Sequence, residues 1–244
     1  MNPKIAVITP YYKESLEVLF QCYESVLKQG IAVDHFFIAD GFPLAEVASW
    51  KVQHIILPRA HGDDGNTPRA VGSLLAETEG YDFISYLDAD NWFHEHHLST
   101  LLSLWEQTKA SVCCSWRTMH ELDGTLLNIT ESDERSFEHV DTSCFLLHRS
   151  AFDCISVWHR SPKILSPVCD RVFFKAIKSK RHTLAFSQLA TVAYRTPYAV
   201  HYQAAGRPVP LNAKTPDKYR AITDYIYSQA GIDEMISLLG FWYH

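Results

Sequence analysis

Tyr81-Asp-Phe-Ile-Ser-Tyr-Leu87 runs straight into Asp88-Ala89-Asp90, and the fold turns on how this decapeptide is read. Phe83, Ile84, Tyr86 and Leu87 are β-prone and suit a mostly buried strand, with two carboxylates placed where the strand emerges. In an extended backbone residues i and i+2 point to the same side, so Asp88 and Asp90 can converge on one cation, directly or through water. Acids in pairs are also ordinary turn residues. Taken alone, the triplet leans toward the turn reading.

The chain on its N-terminal side shifts the balance. Ile5 to Ile8 form a short β-prone run closed by Pro10, and Glu14 to Gln29 carry Leu16, Leu19, Phe20, Tyr23, Val26 and Leu27 at helical spacing. Gly30 stops that helix, Val33 to Ala39 reads as a second strand ending on Asp40-Gly41, and Leu44 to Trp50 and His54 to Leu57 repeat the alternation. After the loop Arg59 to Asn66, Thr67 as cap and Pro68 in the first turn predict a helix whose buried face is Ala70, Val71, Leu74 and Leu75. Strands alternating with helices predict an α/β fold with helices on both faces of the sheet and ligands outside the carboxyl ends of the strands. Glu14, Asp40, Asp88 and Asp90 then share one edge, which turn chemistry does not explain.

Beyond the triplet a helix is expected from His96 to Thr108. β-prone segments follow at Val112 to Thr118, Leu126 to Thr130 and Val140 to Leu147, and then a helix from Ile164 to Lys178. Thr183 to Phe186 and Thr191 to Arg195 read as extended, residues 206–216 as polar, and Asp217 to Ala230 as a last helix. The expected division is a nucleotide-type half over 1–110, an acceptor-type half of the same domain over 111–205, and a helical tail over 206–244.

With 244 residues, 47% hydrophobic and 20% charged, the chain has the composition of a soluble globular protein able to bury a large core. A net charge of -6 argues against nucleic acid as a partner. Six irregularly spaced cysteines offer neither a disulfide framework nor a C-x-x-C zinc pair, and the expected compartment is the cytoplasm. The tail Leu238 to His244 is strongly aromatic; packing on the domain is the expectation, with a peripheral contact at the inner face of the membrane and self-association left open.

A calcium loop of the EF-hand kind fails, because Trp92 and Phe93 stand where a third ligand and a glycine belong. Hard oxygen ligands at an open site suit Mg2+ or Mn2+, with phosphate and water completing the shell. Ile5 to Glu14, Phe37-Ile-Ala-Asp-Gly41, Tyr86 to Asn91, Cys144 to Phe152 and Cys169-Asp170-Arg171 together resemble the ordered landmarks of family 2 glycosyltransferases. The likeness spans roughly residues 4–202, and Ala39 and Cys169 stand where that family commonly has an acid.

The resemblance implies a GT-A type, Rossmann-like mixed sheet and transfer of a sugar from a nucleotide-diphosphate donor to a glycan or glycolipid acceptor, with inversion and with Mn2+ or Mg2+. It implies that Pro10, Tyr11 and Glu14 border the nucleoside and that Asp40 meets the base or ribose. Asp90 becomes the main metal ligand, Asp88 a ribose or metal ligand, Arg69 a diphosphate contact, and Asp170 the general base. His201 lies where some GT-A enzymes bring a late histidine to the metal; His94, His96 and His97 are read as surface residues. A catalytically silent nucleotide-sugar-binding protein and a sugar nucleotidyltransferase are the alternatives, the latter lacking its glycine and arginine-rich signature after the first strand.

Overall fold

A computed structural model describes residues 3–129 and 137–244. Its strands are β1 (Ile5–Tyr11), β2 (Asp34–Ala39), β3 (Gln53–Ile56), β4 (Phe83–Tyr86), β5 (Trp92–Phe93), β6 (Val112–His120), β7 (Leu126–Leu127), β8 (Phe145–His148) and β9 (Leu184–Arg195). The helices are α1 (Leu16–Leu27), α2 (Asn66–Thr78), α3 (His97–Thr108), α4 (Val157–Arg160), α5 (Cys169–Ser179), α6 (Ala199–Ala204), α7 (Arg220–Tyr227) and α8 (Gln229–Leu239). The strands form one sheet in the order β3-β2-β1-β4-β8-β6-β9-β5, with β7 on β6.

The first four strands are parallel, and their register does the positioning. Tyr11 pairs with Ala39 and Ile8 with Tyr86, so the exits of β1, β2 and β4 lie along one edge. Beyond β4 the sheet turns mixed: β8 is antiparallel to both β4 and β6, and β9 runs parallel to β6 through bulges around Trp116. The mixed α/β architecture expected from the sequence is thereby present, with residues 112–195 woven into the same sheet as the N-terminal strands. Thr130, the end of one expected strand, lies outside the described residues.

Successive residues of β1 face opposite ways. Thr9 turns toward Cys22 of α1, whereas Ile8 meets α2 at Gly72, so the two helices cover opposite sides of the strand. A Cβ on Gly72 would stand 2.6 Å from Ile38 Cδ1 and 2.8 Å from Ile8 Cγ2. That close approach corrects the expected face of α2. The helix buries its small residues, Ala70, Gly72, Ser73 and Ala76, together with Arg69, while Leu74 and Leu75 point outward. Its start also differs: Gly65 in the left-handed region precedes Asn66, and Asp63 accepts from the Thr67 amide and hydroxyl at 3.0 and 2.6 Å.

The rear of the sheet closes on an aromatic group. Trp158 stacks on Phe173 with centroids 4.3 Å apart, and its indole N–H donates to the Tyr86 hydroxyl at 2.9 Å. All six cysteines are buried. The expected helix over 164–178 is a 3-10 turn over 163–168 followed by α5, because Pro167 interrupts the first turn. The expected last helix breaks at Ser228, whose hydroxyl accepts from the Gly231 amide and starts α8. Phe241, Trp242 and Tyr243 pack against the core, and Trp242 donates to the Ile226 carbonyl at 2.9 Å. Among the described residues no helix is long and apolar enough to cross a membrane.

Gly72→Leu is expected to destabilise the protein by about 1–3 kcal/mol, the usual cost of forcing extra carbons into a packed contact. Urea denaturation followed by tryptophan fluorescence measures it.

Candidate functional site

A cavity of about 450 Å³ opens over the shared strand edge. Pro10, Tyr11 and Glu14 reach it from β1 and the loop that follows, Asp40 from the end of β2, Arg69 from α2, Asp88 and Asp90 from the exit of β4, and Asp170 from α5. Every candidate from the sequence therefore lines one space, except His201. His201 is buried on α6 at a second, adjoining cavity, and its Nδ1 lies 2.5 Å from the Thr196 hydroxyl. It shares no lining with the acidic pair, so its expected place as a metal ligand is not where the fold puts it.

Each side chain is fixed by identifiable partners. The Tyr11 hydroxyl hydrogen-bonds His54 at 2.7 Å and accepts from the Leu44 amide at 3.2 Å. Glu14 accepts from the Tyr12 amide at 2.7 Å. Asp40, almost fully buried, accepts from the amides of His61 and Gly62 and pairs with the His61 ring at 2.8 Å, which moulds the 59–62 loop against the β2 exit. Gly41 is required there: its φ is +80°, and a Cβ would stand 2.3 Å from the Ala60 nitrogen.

Arg69 is only 4% exposed, so it is no surface helix residue. It donates to Asp88 Oδ1 at 2.5 Å and to the Asp64 carbonyl at 2.8 Å. Burial works against its charge, but Asp88 and its neighbours hold the guanidinium firmly protonated.

The cavity is short of positive charge. Glu14, Asp40, Asp63, Asp64, Asp88, Asp90, Asp141 and Asp170 line it, against Arg69 and Lys214. Asp90 opens onto the cavity, yet enclosure by the protein, and then the like charges of Asp88 and Glu14, push its carboxyl up to about 7. Asp170 behaves in the opposite way. Burial raises it, but His139, at 2.6 Å from Oδ2, and Arg171, whose amide donates to Oδ1 at 2.7 Å, hold it down at about 2.

The family model of glycosyl transferase family 2 matches residues 6–156, more than half of the chain. The chain belongs to glycosyl transferase family 2. No curated protein sequence matches it. Among solved structures, TarS residues 1–349 from S. aureus superimposes with a TM-score of 0.61 at 15% identity, covering 96% of this chain and 72% of that one. The same TarS fragment in complex with UDP-GlcNAc gives 0.57 at 14% identity over 96% and 73%. For the longer TarS structure the values are 0.60 and 12%, with this chain spanning 43% of its length. At these identities the likeness is one of fold, the GT-A fold.

In this family 2 chain several site residues escaped the sequence reading. Arg195, at the end of β9, donates to the carbonyl of Asp90, to the Gln21 side chain and, at 3.2 Å, to the Leu122 carbonyl, while its backbone amide donates to Asn91 Oδ1 at 3.1 Å. It holds the acidic turn from behind. His139 steadies Asp170, and Lys214 reaches the cavity because its loop bridges to Tyr198. These contacts join residues far apart in the chain, and no local pattern announces them. His97, expected at the surface, is fully buried with Nδ1 2.7 Å from the Thr191 hydroxyl.

Among the described residues the one trio whose ligand atoms all lie within 4.8 Å is Asp153, Cys154 and His182, which line neither cavity. Asp153 there is already paired with Lys180 at 3.0 Å.

A carboxyl raised in the folded state binds protons that the unfolded chain has released, so stability falls as pH rises from about 4 through about 7. In metal-free buffer Asp90→Asn is therefore expected to raise the melting temperature at pH 8 by a few degrees and to flatten its rise between pH 8 and pH 6. Calorimetry of both proteins with chelator present is the check.

Proposed function

We propose that this protein transfers a sugar from a nucleoside-diphosphate donor to an acceptor hydroxyl, with inversion at the anomeric carbon and with Mn2+ or Mg2+ at the acidic turn. The observation that carries the reading is that Asp170 lines the same cavity as Asp88 and Asp90. TarS, which shares the fold, is described in complex with UDP and with UDP-GlcNAc. A uridine donor is the first to test.

A divalent cation fits this site on charge. Eight acidic side chains line the cavity with two basic ones, and although Asp141 is paired with Arg117, Asp88 and Glu14 crowd Asp90 with like charge. Asp90 and Asp88 would hold the ion, with donor oxygens and water completing a shell that two carboxylates leave open. When bound, such an ion offsets charge on the departing diphosphate. Arg69 and Lys214 add the protein's own positive charge on the diphosphate side, and Pro10, Tyr11, Glu14 and Asp40 border the nucleoside.

The chain's contribution to the reaction is the position of Asp170. The acceptor oxygen attacks the anomeric carbon from the face opposite the leaving group. A new C–O bond forms, the bond to the diphosphate breaks with its electron pair leaving on the diphosphate, and the acceptor proton passes to Asp170. A carboxylate near pKa 2 is a weak base toward a free alcohol. It suffices once the alcohol oxygen is bonding to carbon, because its proton then becomes strongly acidic. His139 and the Arg171 amide keep both carboxylate oxygens oriented while that happens.

UDP at about a hundred times its Kd is expected to stabilise the protein by about 2.7 kcal/mol in the presence of Mn2+, and much less with chelator. Thermal shift measures this, and stabilisation indifferent to metal would remove the cation from the proposal. Asp170→Asn should keep the UDP shift but lower donor turnover by about 10²–10⁴-fold, read as UDP release. Unchanged turnover would mean that Asp170 is not the base.

A further inference from the structure

The acidic turn closes on itself through the Asn91 backbone amide, which donates to the Asp88 carbonyl at 2.9 Å. That bond shapes the turn but does not fix it to the sheet. Arg195 holds its middle, at the Asp90 carbonyl. Its two ends are held by Ser143, a fully buried residue that lines neither cavity. The Ser143 hydroxyl accepts from the Asp88 amide and from Asn91 Nδ2, both at 3.2 Å. Two donors on one hydroxyl oxygen use both of its lone pairs.

Ser143 is itself braced. It sits in the 3-10 turn Thr142–Cys144, which leads into β8, and its amide donates to Asp141 Oδ1 at 2.9 Å. Asp141 Oδ2 accepts from Arg117 of β6 at 2.5 Å, and the Arg117 guanidinium lies 4.2 Å from the centre of the Tyr194 ring on β9. Asn91 joins the two supports, because its Oδ1 accepts from the Arg195 amide while its Nδ2 reaches Ser143. Contacts thus run from Arg117 through Asp141 and Ser143 to both ends of the acidic turn, and all these residues except Asp88 are buried.

The like charges of Asp88 and Glu14 act on Asp90 and strain the turn toward opening. Asp88 and Asp90 can share one ion only if the backbone between them keeps its shape. A hydroxyl tied to both ends opposes the opening and adds no charge of its own.

We propose that Ser143 is a positioning residue for the divalent cation, holding the acidic turn through the Asp88 amide and the Asn91 side chain in the shape that Asp88 and Asp90 need to share one ion. Asp141 and Arg117 are its support. The inference rests on the reading of Asp88 and Asp90 as the metal ligands, and it sets metal affinity apart from the nucleoside contacts at Pro10, Tyr11 and Asp40.

Mn2+ binding to the full chain with UDP present is measured directly, from the loss of the free-ion EPR signal with UDP alone as the blank. The proteins are the parent, Ser143→Ala and Ser143→Thr; alanine removes the acceptor and threonine keeps it. Ser143→Ala is expected to raise the Mn2+ Kd about 10–100-fold, the usual loss when a group that orients a metal ligand is removed. Ser143→Thr should bind Mn2+ as the parent does. At Mn2+ high enough to fill the weakened site, the UDP thermal shift of Ser143→Ala should return to that of the parent. Ser143→Cys, close in size but with sulfur a much weaker acceptor, should show the same loss and takes the place of the alanine variant if that one does not fold.

A Mn2+ Kd left at the parent's value by alanine or cysteine would overturn the assignment and leave the metal reading standing. So would a loss in threonine equal to that in alanine, which would put the effect in packing and not in the hydroxyl. If the parent with UDP binds no Mn2+, the metal reading falls and the role of Ser143 falls with it.

Discussion

The pair of buried Arg69 with half-buried Asp88 is the contact on which the rest of the site depends. A guanidinium taken almost wholly out of water requires a partner, and removing that partner would leave a charge the interior cannot solvate. The pair therefore ties α2 to the exit of β4, and the same guanidinium reaches the Asp64 carbonyl and lies near the Cys169 sulfur. Gly65 makes this geometry possible, because a side chain there would press on both Arg69 and Pro10 at 3.1 Å. Loop, helix, strand exit and α5 thus meet at one cation.

The same cavity holds far more negative charge than that cation offsets. Such an arrangement works against the folded state, and the sheet register together with the bond from Arg195 to the Asp90 carbonyl fixes the backbone that carries the acids. Sites that keep like charges together are common where a ligand later supplies the opposite charge. Asp170 stands apart from this repulsion: His139 and Arg171 hold it as a settled anion, whereas Asp90 titrates near neutrality. Two carboxylates in one space are thereby given different protonation behaviour, set by their neighbours.

The parts of the fold legible in the sequence are those governed by local period and punctuation. β2 and β4 announced themselves through apolar runs ending on acids, β1 through an apolar run with Glu14 just beyond it, and α1 through its helical spacing, so the shared edge of Glu14, Asp40, Asp88 and Asp90 could be foreseen. Long-range geometry hid the rest. Leu74 and Leu75 looked like a buried face, but the helix instead lays Gly72 against Ile8 and Ile38, a choice made by the distance to β1. Proximity of His201 to the acidic pair was an expectation from the family resemblance, whereas the fold turns α6 toward the neighbouring cavity. Arg195 and Asp90 meet across 105 positions, and His139 and Asp170 across 31, separations at which residue type alone carries no signal.

The six buried thiols give the molecule an internal clock. Cys22, beneath the acidic turn, and Cys169, beside Arg69, have their ionisation suppressed chiefly by burial, as do Cys113, Cys114 and Cys154 within the sheet and behind it. A thiol in that condition reacts with an alkylating reagent only when its surroundings open. Labelling at Cys22 consequently times the loosening of the layer beneath the acidic turn, and labelling at Cys114 times the opening of the sheet, so one reagent separates breathing at the site from unfolding of the whole.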